Sequence, residues 1–265
     1  MSIEAFDRIE LDGTGFDPLT EGAVVTIVRQ ALAAGRGGRI VTPNVDIMRQ
    51  SRVDDRVRGY LDDADLIVAD GMPLVWASKL SGTPLPERVA GSSLIRSLSQ
   101  GLGLDGRSIF VIGGTPAAEN TPDGATRAAD KLAAECAGLR IAGTLCPPFG
   151  FERDEQAYAD VCAKVSDAEP DLVFVGLGFP KQEEVVNRLR ATMPRAWFVG
   201  CGAAVNFVAG DVERAPRWMQ RTGLEWAHRL GTEPGRLAGR YLKHDAPYAL
   251  RLLAQARRRH GQVAK

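Results

Sequence analysis

An aspartate at the end of one apolar segment is the first candidate for acid–base chemistry. Asp70 closes the segment LIVAD and is followed by Gly71. A carboxylate at the rim of a mostly apolar sheet can serve as a general base. The same aspartate can instead cap a helix that begins near Met72 and Pro73, because Asp before Pro is a common helix opening. The local sequence fits both roles.

A glycine turn after another apolar segment marks a second candidate site. In LVFVGLGFPKQEE (172–184), the apolar residues stop at a Gly-x-Gly turn and polar residues follow at once. Such glycines let backbone N–H groups approach a ligand, and a helix start beyond them favours phosphate. The candidate ligand residues here are Gly176, Gly178, Pro180, Lys181, Gln182 and Glu183. Lys181 suits a phosphate, whereas Gln182 and Glu183 either begin a helix or hydrogen-bond a sugar or base.

The common nucleotide-binding fingerprints do not occur in this sequence. The dinucleotide pattern G-x-G-x-x-G would need a third glycine at position 181, where Lys181 stands, and the stretch VIGGTP also departs from it. No P-loop pattern GxxxxGK[ST] is present. An NAD(P)-dependent oxidoreductase is therefore an alternative that the sequence disfavours.

The sequence also predicts no metal site. Asp63-Ala64-Asp65 has the DxD form that binds a metal ion in many enzymes, but it precedes an apolar segment instead of following one. We interpret it as a solvated turn or helix end, away from the expected ligand crevice. The three histidines are dispersed, and the four cysteines lack a CxxC pattern, so free thiols are predicted at Cys136, Cys146, Cys162 and Cys201.

Five short apolar segments, rich in β-branched residues, are predicted strands. They are RIVTPN (39–44), LIVADG (66–71), SIFVIGG (108–114), LVFVGLG (172–178) and WFVGCG (197–202). Continuous apolar segments of this length are typical of strands buried on both faces of a parallel sheet. Helical patterns at 116–136, 154–167 and 181–193 lie between several of them, so the chain is predicted to be α/β with helices flanking the sheet.

In an open α/β sheet the ligand crevice lies at the carboxyl ends of the strands. Each predicted strand leaves polar residues or glycines at that edge. Besides the 176–182 turn, they are Thr42, Asn44, Asp70, Gly113, Gly114, Gly202 and Asn206.

The chain changes character after about residue 206, which predicts a division into 1–206 and 207–265. The second part lacks strand-like segments and predicts two or three short helices. Residues 1–210 carry 21 Lys/Arg and 28 Asp/Glu, whereas residues 211–265 carry 12 Lys/Arg and 5 Asp/Glu. A basic tail on an acidic body indicates a membrane surface, nucleic acid or phosphate as partner, unless it is only a solvated charged helix.

Targeting signals are not apparent. No apolar segment approaches the ~20 residues needed to span a membrane. The start MSIEAFDRIELDG is acidic and lacks the basic and apolar regions of a signal peptide. We expect a cytoplasmic protein.

Four stretches of the sequence resemble the WecG/TagA/CpsF family of bacterial glycosyltransferases (glycosyltransferase family 26). They are TPNVDIM, DGMPLVWASKLSGTPLPERVAG, GLGFPKQE and GCGAAVNFVAGDVERAPRWMQRTGLEWAHRLGTEPGRLAGRY. The resemblance covers roughly residues 40–242, and the ordered set of motifs is specific.

The resemblance implies transfer of a sugar from a UDP-sugar to a polyprenyl-diphosphate-linked saccharide, with inversion and without a metal or other cofactor. The sugar is typically N-acetylmannosamine or a related hexosamine or uronic acid, and the product feeds cell-surface polysaccharide or teichoic acid. The implied structure is a Rossmann-like α/β domain at 1–206 that binds the nucleotide sugar. A helical appendage at 207–265 would reach the acceptor and an anionic membrane surface, and homo-oligomers are also implied.

The family's site residues carry over by position. Asp70 matches its proposed catalytic base and Arg88 the arginine of its ERV motif. The matching substrate-binding positions are Thr42, Asn44, Pro180, Lys181, Gln182, Glu183, Arg214, Arg229 and Arg236. Asn206 stands where many members have Asp, which weakens an acid–base role there but not hydrogen bonding. An alternative interpretation of the basic tail is a nucleic-acid-binding module, and the acidic body argues against it.

Overall fold

A parallel sheet forms the centre of the fold, and a short hairpin forms a second, two-stranded sheet. The computed structural model describes residues 7–263, without the side chains of residues 217, 221, 236 and 259–263. In chain order, the strands of this part are β1 Ile9–Leu11, β2 Thr14–Phe16, β3 Gly38–Val41, β4 Leu66–Ile67, β5 Ser108–Gly113, β6 Arg140–Leu145, β7 Leu172–Gly176 and β8 Trp197–Gly200. The six-stranded sheet has the order β4-β3-β8-β7-β5-β6, and all its neighbours are parallel. The predicted α/β class is confirmed.

All five predicted strands belong to this sheet. Strands β3, β5 and β8 are buried along their whole length, which is why mostly apolar sequence marks them, although Arg39 of β3 is buried as well. Strand β6 has no such signature, because its sequence RIAGTL lies at the sheet edge, is mostly half-buried and mixes polar with apolar residues. The apolar pattern therefore did not predict β6, which has one open side.

Helices cover both faces of the sheet. Within the described residues the α-helices are α1 Glu21–Ala33, α2 Val45–Ser51, α3 Asp55–Asp62, α4 Met72–Leu80, α5 Gly91–Leu104, α6 Gly124–Glu135, α7 Glu155–Asp167, α8 Lys181–Thr192, α9 Ala204–Ala209, α10 Arg217–Thr222, α11 Glu225–Thr232, α12 Pro234–Arg240 and α13 Ala246–Val263. A 3-10 turn at Phe151–Arg153 precedes α7, and a π-helical turn at Tyr241–Asp245 joins α12 to α13.

The three helices predicted between strands are present as α6, α7 and α8. Helix α6 begins only at Gly124, after Pro122, where the Asp123 side chain accepts a hydrogen bond from the Thr126 N–H and caps the helix. Asp154 caps α7 in the same way. Between residues 211 and 263, the described part of the chain forms four α-helices and a π-helical turn, more than the two or three helices predicted, because its prolines and glycines separate short helices without ending the helical region.

Three apolar clusters hold the layers together. One buries side chains of α1, α5, α6 and α9 against one face of the sheet. On the other face, α7 and α8 pack against β5, β7 and β8, while α2, α3 and α4 pack against β3 and β4. Fully burying one large apolar side chain contributes roughly 1.5–3 kcal/mol, so these layers are a main source of the stability of the fold.

Helix α13 belongs to the third cluster although it is the last element of the chain. Its residues Tyr248, Leu252 and Ala256 are buried with Leu11 of the hairpin and Leu74 of α4. The hairpin turn at Asp12–Gly13 has positive φ at both residues, as a two-residue turn of type I′ requires. The division of the chain near residue 206 stays a prediction, and the end of the second part packs onto the first.

Candidate active site

Asp70 lies just beyond β4, at the carboxyl-terminal edge of the sheet. Its backbone N–H donates to the Pro43 carbonyl at 2.9 Å, and the Val89 N–H donates to the Ala69 carbonyl at 2.9 Å. These bonds tie the Asp70 segment to the loops after β3 and before α5. Helix α4 has Gly71 as its N-cap residue and no side-chain capping bond. The helix-capping alternative for Asp70 is therefore wrong, because the Asp70 carboxylate makes no capping hydrogen bond to α4.

The surroundings of Asp70 favour its protonated form more than water does. Burial raises the pKa of Asp70 to about 6, against the opposing charge of Arg88, and the Glu225 carboxylate raises it further. A hydrogen bond from the Gly91 N–H and the charge of Arg214 lower it. A carboxylate of this pKa is mostly ionised at neutral pH, yet accepts a proton more readily than an exposed aspartate.

Two of the predicted arginines meet at a single carboxylate beside Asp70. The Arg88 Nη1 donates to Glu225 Oε2 at 2.9 Å, and the Arg214 Nε donates to Glu225 Oε1 at 3.4 Å. The Arg214 Nη1 also donates to the Ser92 carbonyl, at 3.2 Å. The three charged side chains are between 12% and 23% exposed. Residues from before α5, from the segment after α9 and from α11 thus converge on Asp70.

Thr42 and Asn44 lie in the loop after β3, next to this group. Thr42 is buried, and its Oγ1 would be 3.3 Å from a Cβ atom on Gly91. A side chain at position 91 would therefore press on Thr42. Asn44 caps α2, because its Oδ1 accepts from the Ile47 N–H at 3.0 Å. The cap fixes the direction in which the Thr42–Asn44 loop leaves the sheet.

The glycine turns lie further along the same edge, after β5 and β7. Gly113 and Gly114 have φ values of 114° and 85°, which L side chains rarely adopt. A Cβ on Gly113 would lie 2.4 Å from the Gly176 carbonyl oxygen, so the two turns are in direct contact. A cavity of about 100 Å³ opens between them and is lined by Gly113, Gly114, Pro116, Cys146, Pro147, Pro148, Phe149, Phe151, Gly176, Leu177 and Lys181.

Lys181 lines this cavity, whereas the side chains of Gln182 and Glu183 are buried in the interior. Lys181 Nζ pairs with Glu152 Oε1 at 2.6 Å beside the cavity, and the preceding Phe179–Pro180 peptide bond is cis. Gln182 is buried, and its Oε1 accepts from the Gly202 N–H at 3.0 Å while its Nε2 donates to Glu183 Oε1 at 3.0 Å. The buried side chain of Gln182 therefore holds the turn after β8 in place.

Asn206 and Arg229 carry buried polar atoms with no hydrogen-bond partner. They are Asn206 Oδ1 on α9 and Arg229 Nε on α11. The Arg229 guanidinium lies over the ring of Phe207, 6.0 Å from its centroid, so both groups lie beside α9. Neither atom is committed to a bond within the protein, so both are candidates for hydrogen bonds to a substrate. Arg236 lies on α12, but its side chain is outside the described part of the structure.

Comparisons with known proteins identify the family of the chain. Residues 9–262 match the family described as Glycosyl transferase WecG/TagA/CpsF family. The chain belongs to this family of glycosyltransferases. A relative from Bacillus spizizenii (strain ATCC 23059 / NRRL B-14472 / W23) is 34% identical over 205 residues, which are 77% of this chain and 75% of the relative. One from Bacillus subtilis (strain 168) is 31% identical over 200 residues, 76% of this chain and 73% of the relative.

Both Bacillus relatives carry the name N-acetylglucosaminyldiphosphoundecaprenol N-acetyl-beta-D-mannosaminyltransferase. Membership of the family confirms the glycosyltransferase interpretation of the motifs and decides against an NAD(P)-dependent oxidoreductase and a nucleic-acid-binding module.

Several groups around Asp70 were not expected from the sequence. Glu225 is the clearest example of an unexpected group. It lies inside the GLEW motif, where the sequence suggests only an ordinary glutamate in the first turn of a helix. The Gly91 N–H and the Ser92 carbonyl are backbone groups, and no pattern of side chains reveals them. A glutamate flanked by apolar residues in an arginine-rich segment is the one signal that could have drawn attention to Glu225.

The DxD segment of this glycosyltransferase lies away from the site. Asp63 ends α3 before β4, and both Asp63 and Asp65 pair with Arg190, at 2.5 and 3.0 Å. The interpretation as a helix end is confirmed. Among the described residues, no group of three or more His, Cys, Asp or Glu could hold a metal ion. All four cysteines are free thiols.

Between residues 7 and 263, no helix is both long enough and apolar enough to span a membrane.

Proposed function

We propose that this glycosyltransferase moves N-acetylmannosamine, or a related hexosamine or uronic acid, from a UDP-sugar to a polyprenyl-diphosphate-linked saccharide. The product would enter cell-surface polysaccharide or teichoic acid. The observation that carries the proposal is the convergence of Arg88 and Arg214 beside the buried carboxylate of Asp70. The names of the two Bacillus relatives supply the sugar and the acceptor.

The reaction is a single displacement at the anomeric carbon. Asp70 takes the proton from the acceptor hydroxyl while that oxygen forms a bond to the anomeric carbon of the donor sugar. The bond from the anomeric carbon to the UDP oxygen breaks on the opposite face, which inverts the configuration. The pKa of about 6 lets Asp70 be ionised before the reaction and still hold the proton as the bond forms.

Arginines and backbone N–H groups stabilise the leaving UDP without a metal ion. Negative charge develops on its phosphate as the glycosidic bond breaks, and preorganised donors in a partly desolvated site are most effective against such charge. Arg88 and Arg214 each use only part of their five N–H donors on Glu225. Their remaining N–H groups, together with the glycine turns at Gly113–Gly114 and Gly176–Gly178, suit a diphosphate.

The remaining predicted ligands take supporting roles in this proposal. Lys181 lines the cavity beside the glycine turns and supplies a cation to the nucleotide. The unpaired atoms of Asn206 and Arg229 accept and donate hydrogen bonds to the bound sugar or phosphate. Gln182 and Glu183 act from the interior, by holding the Gly202 turn and the sheet edge.

The C-terminal appendage, residues 207–265, is proposed to attach the enzyme peripherally to the cytoplasmic membrane, where the lipid-linked acceptor is found. It exposes large apolar side chains beside its basic residues: Trp218, Leu224, Trp226, Leu242 and Leu250. Aromatic and aliphatic side chains of this kind enter the headgroup region. Each nearby Lys or Arg adds about 1 kcal/mol on an anionic surface.

Deleting the appendage is a poor test of this role. Tyr248, Leu252 and Ala256 of α13 are part of an apolar cluster shared with α4 and the hairpin. Removing the chain from residue 211 would expose that cluster, so substitutions at exposed positions are preferable.

A donor screen tests the proposed reaction directly. Purified protein is mixed with a short-chain polyprenyl-diphosphate-N-acetylglucosamine analogue and a panel of UDP-sugars in the presence of EDTA. Mass spectrometry of the lipid fraction then identifies any disaccharide-lipid, and proton NMR of the product gives its anomeric configuration. One accepted donor with inverted configuration supports the whole proposal. Transfer only after a divalent cation is added back would overturn metal independence, and absence of product with every donor would overturn the substrate assignment.

A further inference from the structure

Glu225 lies between Arg88 and Arg214 in the charged group beside Asp70. It is the first residue of α11, and its two carboxylate oxygens accept from different arginines, Arg88 before α5 and Arg214 after α9. Its side chain is only 12% exposed. Glu225 and Arg88 are 137 positions apart in the sequence, so the contact depends on the docking of α11 against the sheet edge.

A carboxylate is the one side-chain group that fits between these two arginines. Both arginines are cations, and in a partly buried site their repulsion would drive them apart. A carboxylate accepts from both and carries the opposing charge, whereas an amide would turn a donor toward one of them. The Ser92 carbonyl holds the other end of Arg214, which leaves that guanidinium with a defined orientation.

We propose that Glu225 is a positioning residue, which orients Arg88 and Arg214 toward the diphosphate of the donor. The inference deepens the proposed function and rests on it. Glu225 itself contacts neither the sugar nor the nucleotide.

Glu225 also acts on Asp70 through its charge. The groups that face Asp70 are Arg88, Glu225, Arg214 and the Gly91 N–H, and among these Glu225 alone raises the pKa of the Asp70 carboxyl. Removing the charge of Glu225 therefore lowers the pKa of Asp70. Freed arginines that move closer to Asp70 would shift it in the same direction.

The test compares Glu225→Gln, Glu225→Asp and a control, Glu169→Gln, in the full chain. Glu169 is an exposed residue in the turn before β7, at the opposite edge of the sheet. We expect Glu225→Gln to lower kcat by about 10–100-fold, because small misplacement of charged groups at a reacting centre costs that much. The acid limb of its pH–rate profile should move to lower pH. Glu225→Asp keeps the charge and should recover part of the loss, and the control should match the wild type.

A readout that does not need the reaction separates this inference from the proposed function. The Asp70 carboxyl is titrated by carbon-13 NMR in the wild type, the Glu225→Gln variant and the control, and UDP binding is measured by calorimetry. A lower pKa of Asp70 together with weaker UDP binding in Glu225→Gln supports the inference even if no donor sugar is found. An unchanged pKa and unchanged UDP affinity overturn it. A fall in melting temperature alone, with both readouts unchanged, assigns Glu225 a purely structural role and also overturns it.

Discussion

Arg39 and Glu183 form an ion pair inside the protein, with an N–O distance of 2.5 Å and 1% of each side chain exposed. Arg39 lies on β3, and Glu183 lies in the first turn of α8. The pair joins the sheet to the helix that follows the β7 glycine turn. Asn187 Oδ1 accepts a second hydrogen bond from Arg39 at 2.7 Å, and Gln182 donates to the other oxygen of Glu183. The PKQE motif is therefore anchored to the fold through its last residue.

Glu183→Gln is expected to destabilise the protein by about 3 kcal/mol, because it leaves the buried charge of Arg39 without its main partner. Urea unfolding followed by circular dichroism measures the change. Glu184→Gln, at the next position of the same helix, is the control and should cost less than ~1 kcal/mol. Equal stability of the two variants would show that Arg39 finds sufficient partners in Asn187 and Asp63.

Asp70→Asn should lower the transfer rate by about 10²–10⁴-fold, the usual effect of removing a general base. The amide keeps the shape of the carboxylate, so UDP affinity should change by less than about threefold. Single-turnover transfer and calorimetry measure the two quantities. Near-normal transfer by a folded Asp70→Asn protein would remove this residue from the mechanism.

The rate should fall at low pH with the protonation of the same carboxyl. With the pKa of Asp70 at about 6 in the free enzyme, kcat/KM should decrease tenfold per pH unit below that value. A profile that stays flat down to pH 5 would contradict the assignment of Asp70 as the base.

The raised pKa of Asp70 also has a consequence for stability. The folded chain holds this proton more tightly than the unfolded chain, so the associated stabilisation is present below pH ~4 and is lost as pH rises through about 6. Asp70→Asn should therefore make the protein more stable at pH 7, by roughly 1–2 kcal/mol. Thermal unfolding at pH 4 and pH 7 tests this, and a variant less stable than the wild type at pH 7 would refute it.

Tyr248→Phe should loosen α13 from the rest of the fold. The Tyr248 hydroxyl donates to Asp12 Oδ2 at 2.7 Å and joins α13 to the hairpin turn. Loss of a hydrogen bond to a charged partner costs about 1.5–3 kcal/mol. Hydrogen exchange of the α13 amides should increase in the variant. Unchanged exchange would show that the apolar contacts of Leu252 and Ala256 are sufficient.

The double substitution of Leu242→Ala and Leu250→Ala should weaken binding to anionic vesicles by about tenfold, with little change in stability. Both side chains are largely exposed, at 60% and 68%, so their loss removes no core packing. Co-sedimentation with phosphatidylglycerol vesicles at low and high salt measures the effect. Leu104→Ala, an equally exposed leucine at the end of α5, is the control and should bind like the wild type. Equal binding of all three proteins would place the membrane surface elsewhere.

The sequence alone determined the α/β class, five of the six strands of the parallel sheet and the sheet edge at which most of the candidate site residues lie. Strands covered on both faces are mostly apolar, and the buried Arg39 of β3 is an exception that is paired with Glu183, so a local pattern reveals such strands. The resemblance to the family's motifs also singled out Asp70 and the arginines as candidates.

Only the tertiary structure decided how these residues act together. The sequence left Asp70 between a base and a helix cap, and the geometry of Gly71 at the start of α4 excluded the cap. The bridge from Glu225 to Arg88 and the inward direction of Gln182 and Glu183 depend on which distant segments meet after folding. Such contacts are set by the packing of whole helices on the sheet, and a local pattern of residue types contains no information about the distance between two segments.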